Sequence, residues 1–257
     1  MQEWNSANYL KFGDERTQPS RDLVTRLAAL NPSSIVDLGC GPGNSTHVLH
    51  QQWPSSKLVG IDNSEPMLKA ARESLPNADF RLQDLSLWRP SQKFDLVFSN
   101  AAFQWLPNHS ELLPRLFEAV VANGVFAFQI PSRKYALIRS LMMDISRDKA
   151  WDHRMQSART ALTMEEPGFY YDLLVPLSSR IDIWETEYYH ILESHVALVD
   201  WMASTGLRPF LAGLNEEESA KFVDRLVRRV GEEYPLQSNG NVLFPFRRTF
   251  VIAYRQG

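Results

Sequence analysis

The 257 residues contain a single cysteine, Cys40, so no intrachain disulfide can form. A metal centre built from cysteines is excluded on the same ground, and a reducing compartment suits such a chain. No stretch approaches the ~18 consecutive apolar residues of a membrane span. Residues 1–16 are polar and aromatic and lack the apolar core of a secretory leader. These absences predict a soluble, cytoplasmic protein. A basic excess is lacking too: 27 Lys and Arg face 30 Asp and Glu, for a net charge of −3. A nucleic-acid binder calls for a basic face, and the densest basic patches, Arg225–Arg229 and Arg247–Arg248, are short. Neither a nucleic acid nor a membrane is expected as a partner, and the oligomeric state is left open. The histidines form no metal-ligand set. His47 and His50 share a helix face without a third ligand, and His109, His153 and His195 stand apart, so no metal is expected. There is no internal repeat, low-complexity tract or linker.

What is present is a regular alternation. A helix is predicted over Pro19–Leu30, with Leu23, Leu27 and Leu30 on one face. Short apolar runs of strand type follow at Ser34–Leu38, Lys57–Ile61, Ala78–Leu82, Phe94–Ser99 and Gly124–Ile130. Helices are predicted between them at Asn44–Trp53, after a Ser64 N-cap, and at Ser110–Val121. Five such alternations within 130 residues indicate a parallel, doubly wound α/β sheet. The second half adds helices at Tyr135–Lys149, Ser194–Ser204 and Glu216–Glu233, and strands at Arg180–His190 and Val242–Tyr254. The expectation is one domain, 1–257, with a mostly parallel sheet of about seven strands. Segments 131–178 and 191–241 are expected as helical cap insertions.

The densest signal is Val36-Asp37-Leu38-Gly39-Cys40-Gly41-Pro42-Gly43, a glycine turn between the first strand and its helix. Glycines let backbone approach a ligand closely, and ligands of such sheets bind beyond the carboxyl ends of the strands. The Gly-x-Gly-x-Gly spacing differs from the Gly-x-Gly-x-x-Gly of a dinucleotide site. A carboxylate at Asp37 would repel a pyrophosphate and suits an ammonium or sulfonium charge. Asp62 closes the second strand, where an acid can accept the hydroxyls of a ribose. Asp84-Leu85 follows the third strand and can meet an adenine. Taken singly, Asp37 and Asp62 could be turn or capping acids; three acids in register at successive strand ends point to an adenosyl ligand.

These segments resemble the class I S-adenosylmethionine-dependent methyltransferases, which are Rossmann-like. Asp37 to Gly43 is similar to their first motif and Gly60-Ile61-Asp62 to the second. Asp84-Leu85 is similar to the third motif and Phe94 to Asn100 to the fourth. The resemblance implies S-adenosylmethionine as cofactor, with S-adenosylhomocysteine as product. It implies Asp37, Gly39 and Gly41 at the methionine part, Asp62 and Met67 at ribose and adenine, and Asp84 and Leu85 at adenine. Asn100 and Ala101 would lie beside the sulfonium. Trp105, just after the fourth strand, could face that cation or pack in the core. Cys40 has no legible base partner and reads as a small packing residue.

A closer resemblance, over nearly the whole chain, is to the family of trans-aconitate methyltransferases. It is carried by Trp4-Asn5, Tyr9-Leu10 and Glu15-Arg16, by Asn44-Ser45-Thr46, and by Gln104-Trp105-Leu106-Pro107. It continues in Ile183-Trp184, Tyr188-Tyr189-His190, Thr205-Gly206-Leu207-Arg208-Pro209 and Tyr234-Pro235-Leu236-Gln237. The implied reaction is methylation of one carboxylate of a small polycarboxylate, trans-aconitate, to a monomethyl ester. A carboxylate is ionised near pH 7 and needs no general base, so no catalytic base is assigned. Arginine forks match carboxylates, and the candidate acceptor-binding residues are Arg16, Tyr188, His190, Arg208, Arg247 and Arg248. Arg208 could instead cap the preceding helix, and His190 could be a satisfied structural histidine. Arg247 and Arg248 are adjacent in a strand, so only one can face a pocket. The aromatic opening segment, Trp4, Tyr9 and Phe12, with Arg16, is expected as a lid over residues 1–18. Still open are another acid or hydroxyl acceptor, a cofactor-binding homologue without catalysis, and an oxidoreductase, against which the glycine spacing and Asp37 speak.

Overall fold

The computed structural model describes residues 13–133, 137–203 and 205–257, the first four by backbone alone. Trp4, Tyr9, Phe12 and most of the expected lid lie outside the described residues. The described residues form seven strands: β1 Ser34–Leu38, β2 Lys57–Asp62, β3 Asp79–Leu82, β4 Phe94–Asn100, β5 Val120–Pro131, β6 Ser178–Leu192 and β7 Val242–Arg255. The longer helices are α1 Gly13–Arg26, α2 Asn44–Gln52, α3 Glu65–Ser74, α4 His109–Phe117, α5 Leu137–Ile145, α6 Pro167–Leu174, α7 His195–Ala203 and α8 Glu216–Glu233.

The strands build one sheet in the order β3-β2-β1-β4-β5-β7-β6. β1 to β5 pair in parallel, and β7 runs antiparallel to β5. The order reverses between β1 and β4, which makes the carboxyl ends of those two strands the topological switch point. The doubly wound, mostly parallel α/β fold is therefore the one expected.

The chain forms two compact units. Of the described residues, the first holds 13–132 together with 163–186 and 248–257, and the second holds 133–162 and 187–247. In the first, Val36, Val59, Val97, Phe126, Phe128 and Val251 share one sheet face. They pack with Leu112, Leu113 and Leu116 of α4 and with Tyr170 and Leu174 of α6. Helix α1 buries Leu23 and Val24 and packs on α2 and β5. In the second unit, Phe222, Leu226 and Val230 recur every four residues along α8 and are fully buried. That helix starts with a reciprocal cap: Asn215 Oδ1 accepts from the Glu218 N–H, and Glu218 accepts from the Asn215 N–H.

Several boundaries depart from the periodic pattern. Helix α1, described from Gly13, carries Pro19 inside it rather than at its start. Leu27 and Leu30 belong to the turn that follows it. The helix expected to reach Val121 stops at Phe117, since Phe94 pairs with Val120 and draws that apolar run into β5. A register shift between Phe94 and Leu96, and Asn123 at φ 61°, accommodate the extra residues. Ser64 holds the N-cap position without a capping bond from its side chain; its N–H donates to Asp62 Oδ1 instead. The expected 131–178 insertion divides: 163–178 joins the sheet unit, because Tyr170 and Leu174 complete its core.

Candidate active site

The turn after β1 is anchored by two bonds to one carbonyl: the N–H groups of Gly39 and Cys40 donate to Ile61 O at 2.7 and 3.0 Å. Gly39 has φ 75°, and a Cβ there would stand 2.2 Å from the Ala102 Cβ. The two loops at the switch point thus touch where Gly39 has no side chain. Gly41, at φ 54°, has nothing within 4 Å of where its Cβ would be. Cys40 is buried, and burial beside Asp37 and Asp62 pushes its thiol up, which suits the packing role.

Asp37 is fully buried. Its Oδ2 accepts hydroxyls from Ser45 at 2.6 Å and Thr46 at 2.7 Å, both in the first turn of α2. Oδ1 is buried with no hydrogen-bond partner. Burial raises this carboxyl from its usual 3.8 to about 6, against the pull of the two hydroxyls. An ionised carboxylate with one bare oxygen is a cradle for a cation. Asp62 turns Oδ2 to the Gly41 N–H and Oδ1 to the Ser64 N–H, both at 2.9 Å. It therefore shapes the glycine turn, and each oxygen keeps a lone pair for a sugar hydroxyl.

Met67 is 3% exposed on α3. Asp84 is exposed, with Oδ1 accepting the Ser86 N–H at 2.8 Å, while Leu85 is buried. Arg115, missed in the sequence, clamps this loop: Nη2 donates to Leu85 O at 2.9 Å and Ser86 O at 2.8 Å. Asn100 ends β4, and Ala101 takes a left-handed φ of 53°, which costs an L-residue roughly 1 kcal/mol. Two bonds hold it: its N–H donates to Gln129 O at 2.9 Å, and Gln104 Nε2 donates to its carbonyl at 2.6 Å. Trp105 is half-buried in the single turn Phe103–Trp105. Asp37, Gly39, Gly41, Asp62 and Ala101 thus gather at the switch point, and they fit a cationic adenosyl ligand. In the sequence Ser45 and Thr46 stand out only as part of a motif, and two hydroxyls at the start of a helix are the local signal for their role.

The acceptor-side candidates scatter. Arg247 and Arg248 do point to opposite faces: Arg247 Nη2 pairs with Glu187 Oε2 at 3.1 Å at the surface, while Arg248 is 4% exposed. Arg248 Nη1 donates to Gln129 Oε1 at 3.3 Å. Arg208 opens the single turn Arg208–Leu211, half-buried, and burial lowers its guanidinium pKa. His190 is buried against the rings of Trp201, Phe244 and Phe246, as a structural histidine would be. Tyr188 is half-buried on β6. Arg16 lies in α1, its side chain outside the described residues. Among the described residues no group of three His, Cys, Asp or Glu could hold a metal ion, and no helix is long and apolar enough to cross a membrane.

A family model described as a methyltransferase domain matches residues 31–195. The trans-aconitate 2-methyltransferase of Variovorax paradoxus is 41% identical, with both chains covered in full. Those of Escherichia coli O7:K1 and Klebsiella pneumoniae are 40% and 42% identical over 99% and 98% of each chain. Among solved structures, the YcgJ protein of Bacillus subtilis shares the fold at TM-score 0.60 and 11% identity. It covers 93% of this chain and 99% of its own. A putative methyltransferase from Bacillus halodurans C-125 does so at TM-score 0.61 and 12% identity, over 92% and 99%. With the glycine turn, its paired acids and full-length relatives in agreement, the chain belongs to the trans-aconitate 2-methyltransferase family, within the class I S-adenosylmethionine-dependent methyltransferases.

Proposed function

We propose that this enzyme methylates a carboxylate oxygen of trans-aconitate, giving a monomethyl ester and S-adenosylhomocysteine. The observation that carries the acceptor is the extent of the likeness. It spans both compact units, whereas the general methyltransferase match ends at residue 195. When bound, S-adenosylmethionine would supply an electrophilic methyl group, the S–C bonding pair staying on sulfur and a lone pair of the acceptor oxygen forming the new O–C bond. Asp37 would receive the cationic end of this cofactor, Asp62 the ribose, and the Asp84-Leu85 loop with Met67 the adenine. Asn100 and Ala101 would flank the sulfonium, with Trp105 beside them.

No proton moves in this reaction, because the acceptor is already an anion at neutral pH. The chain's task is to hold the reacting oxygen in line, and well-oriented reactants can gain roughly 7–11 kcal/mol over free encounter. We assign Arg248 to an acceptor carboxylate, since it is buried on the sheet face that also carries Asp37 and Asn100. Arg16, Tyr188, His190, Arg208 and Arg247 stay as candidates for substitution. We place the enzyme in the cytoplasm, where an unbridged, buried Cys40 is at home.

The test is release of S-adenosylhomocysteine with trans-aconitate, cis-aconitate, citrate and isocitrate. Turnover preferring trans-aconitate is expected. Measurable cofactor binding with no turnover of any acid would overturn the acceptor and leave a homologue retuned to another acceptor or without catalysis.

A further inference from the structure

Gln129 lies near the carboxyl end of β5 and is completely buried. Its in-register neighbours are Asn100 on β4 and Phe250 on β7. Following alternate residues through the register, Asp37, Phe98, Asn100, Gln129, Phe250 and Arg248 share one sheet face. The Arg248 guanidinium donates to Gln129 Oε1, and this bond settles which way the amide points. The reversed amide would set NH2 against guanidinium, two donors with nothing to accept. Gln129 Nε2, with two hydrogens to give, has no hydrogen-bond partner. A buried donor left unmade is costly and calls for a reason. The aromatic neighbour Phe250, stacked on Trp184 at 4.8 Å, offers it no acceptor.

On the reading above of a polycarboxylate acceptor, on which this rests, we propose that Gln129 is an acceptor-binding residue. Nε2 donates to an oxygen of one of the two carboxylates that do not react, and Arg248 fixes the amide. A neutral donor suits a carboxylate that must be held, whereas a donor on the reacting oxygen would blunt its nucleophilicity.

The test compares wild-type enzyme with Gln129→Met, which keeps length and removes the amide, and with Gln129→Leu as a second apolar variant. Acceptor KM and kcat are measured alongside S-adenosylhomocysteine affinity by calorimetry. The expected result is an acceptor KM raised about 10- to 100-fold, the range for a hydrogen bond to a charged group, with cofactor affinity unchanged. Three dicarboxylates, itaconate, mesaconate and glutaconate, each lack one arm of trans-aconitate. For the one lacking the arm that Gln129 holds, wild type and variant should perform alike; the one lacking the other unreactive arm keeps the penalty in KM, and the one lacking the reacting carboxylate, which is not turned over, keeps it in its inhibition constant against trans-aconitate. A penalty equal on all three, or an unchanged KM for trans-aconitate, overturns the Gln129 assignment alone. A wild type inert toward every acid overturns the acceptor reading, and this assignment falls with it.

Discussion

Burial and two hydroxyl donors pull the Asp37 carboxyl in opposite directions, and burial wins, raising it to about 6. The sign follows from the raised value. The favourable contribution to the fold is full below the ordinary carboxylate range near 4 and is lost as pH rises through 6. Ionised, the group costs the empty protein about 3 kcal/mol. A cationic ligand at Oδ1 reverses the balance by favouring the anion. Cofactor affinity should therefore rise as pH climbs toward about 6 and level off above it, with a proton released on binding below that value. Calorimetry in buffers of different ionisation enthalpy reads that release directly; Asp37→Asn should abolish it. Gly39 makes a second case at this scale. Gly39→Ala would set a Cβ 2.2 Å from that of Ala102, at a φ unfavourable for alanine. Overpacking of this kind costs about 1–3 kcal/mol, so a lower melting temperature and weaker S-adenosylhomocysteine binding are expected together. Binding at wild-type strength would show that the two loops can separate freely.

Elements far apart in sequence are stapled by single polar contacts. His109, at the start of α4, meets the Tyr170 hydroxyl of α6 across 61 residues at 3.0 Å. His109 Nε2 lies 2.9 Å from Phe103 O, a pure acceptor, so Nε2 carries the hydrogen and Nδ1 accepts from the tyrosine. That hydroxyl in turn accepts the Glu165 N–H at 3.1 Å, and the Thr163 N–H donates to Gln104 O at 2.9 Å. The 163–178 segment is thereby fastened to the turn carrying Gln104 and Trp105. Desolvation lowers the His109 pKa, so its contribution is present above the ordinary histidine value near 6.5 and fades as pH falls below it. Tyr170→Phe leaves two buried groups without their partner and should cost about 1–3 kcal/mol. That corresponds to a melting temperature lower by several degrees, and an unchanged midpoint in a thermal scan would refute the latch. This contact was invisible in the sequence because nothing local couples His109 to Tyr170. The same holds for Arg115 and the Leu85 loop, whereas Ser45 and Thr46 stand eight and nine residues from Asp37 and needed only the strand–turn–helix to meet it.

On the scale of the whole molecule, both β6 and β7 pass from one compact unit into the other, at residues 186–187 and 247–248. The break between Arg247 and Arg248 falls there: the first pairs with Glu187 in the second unit, and the second is buried on the sheet face of the first. Residue order alone makes legible the βα alternation, the glycine turn and the acids at three strand ends. Each is a local pattern, set by side-chain periodicity and by backbone that only glycine adopts without strain. It also requires that Arg247 and Arg248 oppose each other, since alternation in a strand is a property of neighbours. Which of the two turned inward, that 163–178 joins the sheet unit, and that Gln129 stands beside Arg248 became visible only in the folded chain. Those outcomes rest on strand order and register, which are settled by burying one continuous apolar face across residues more than a hundred positions apart.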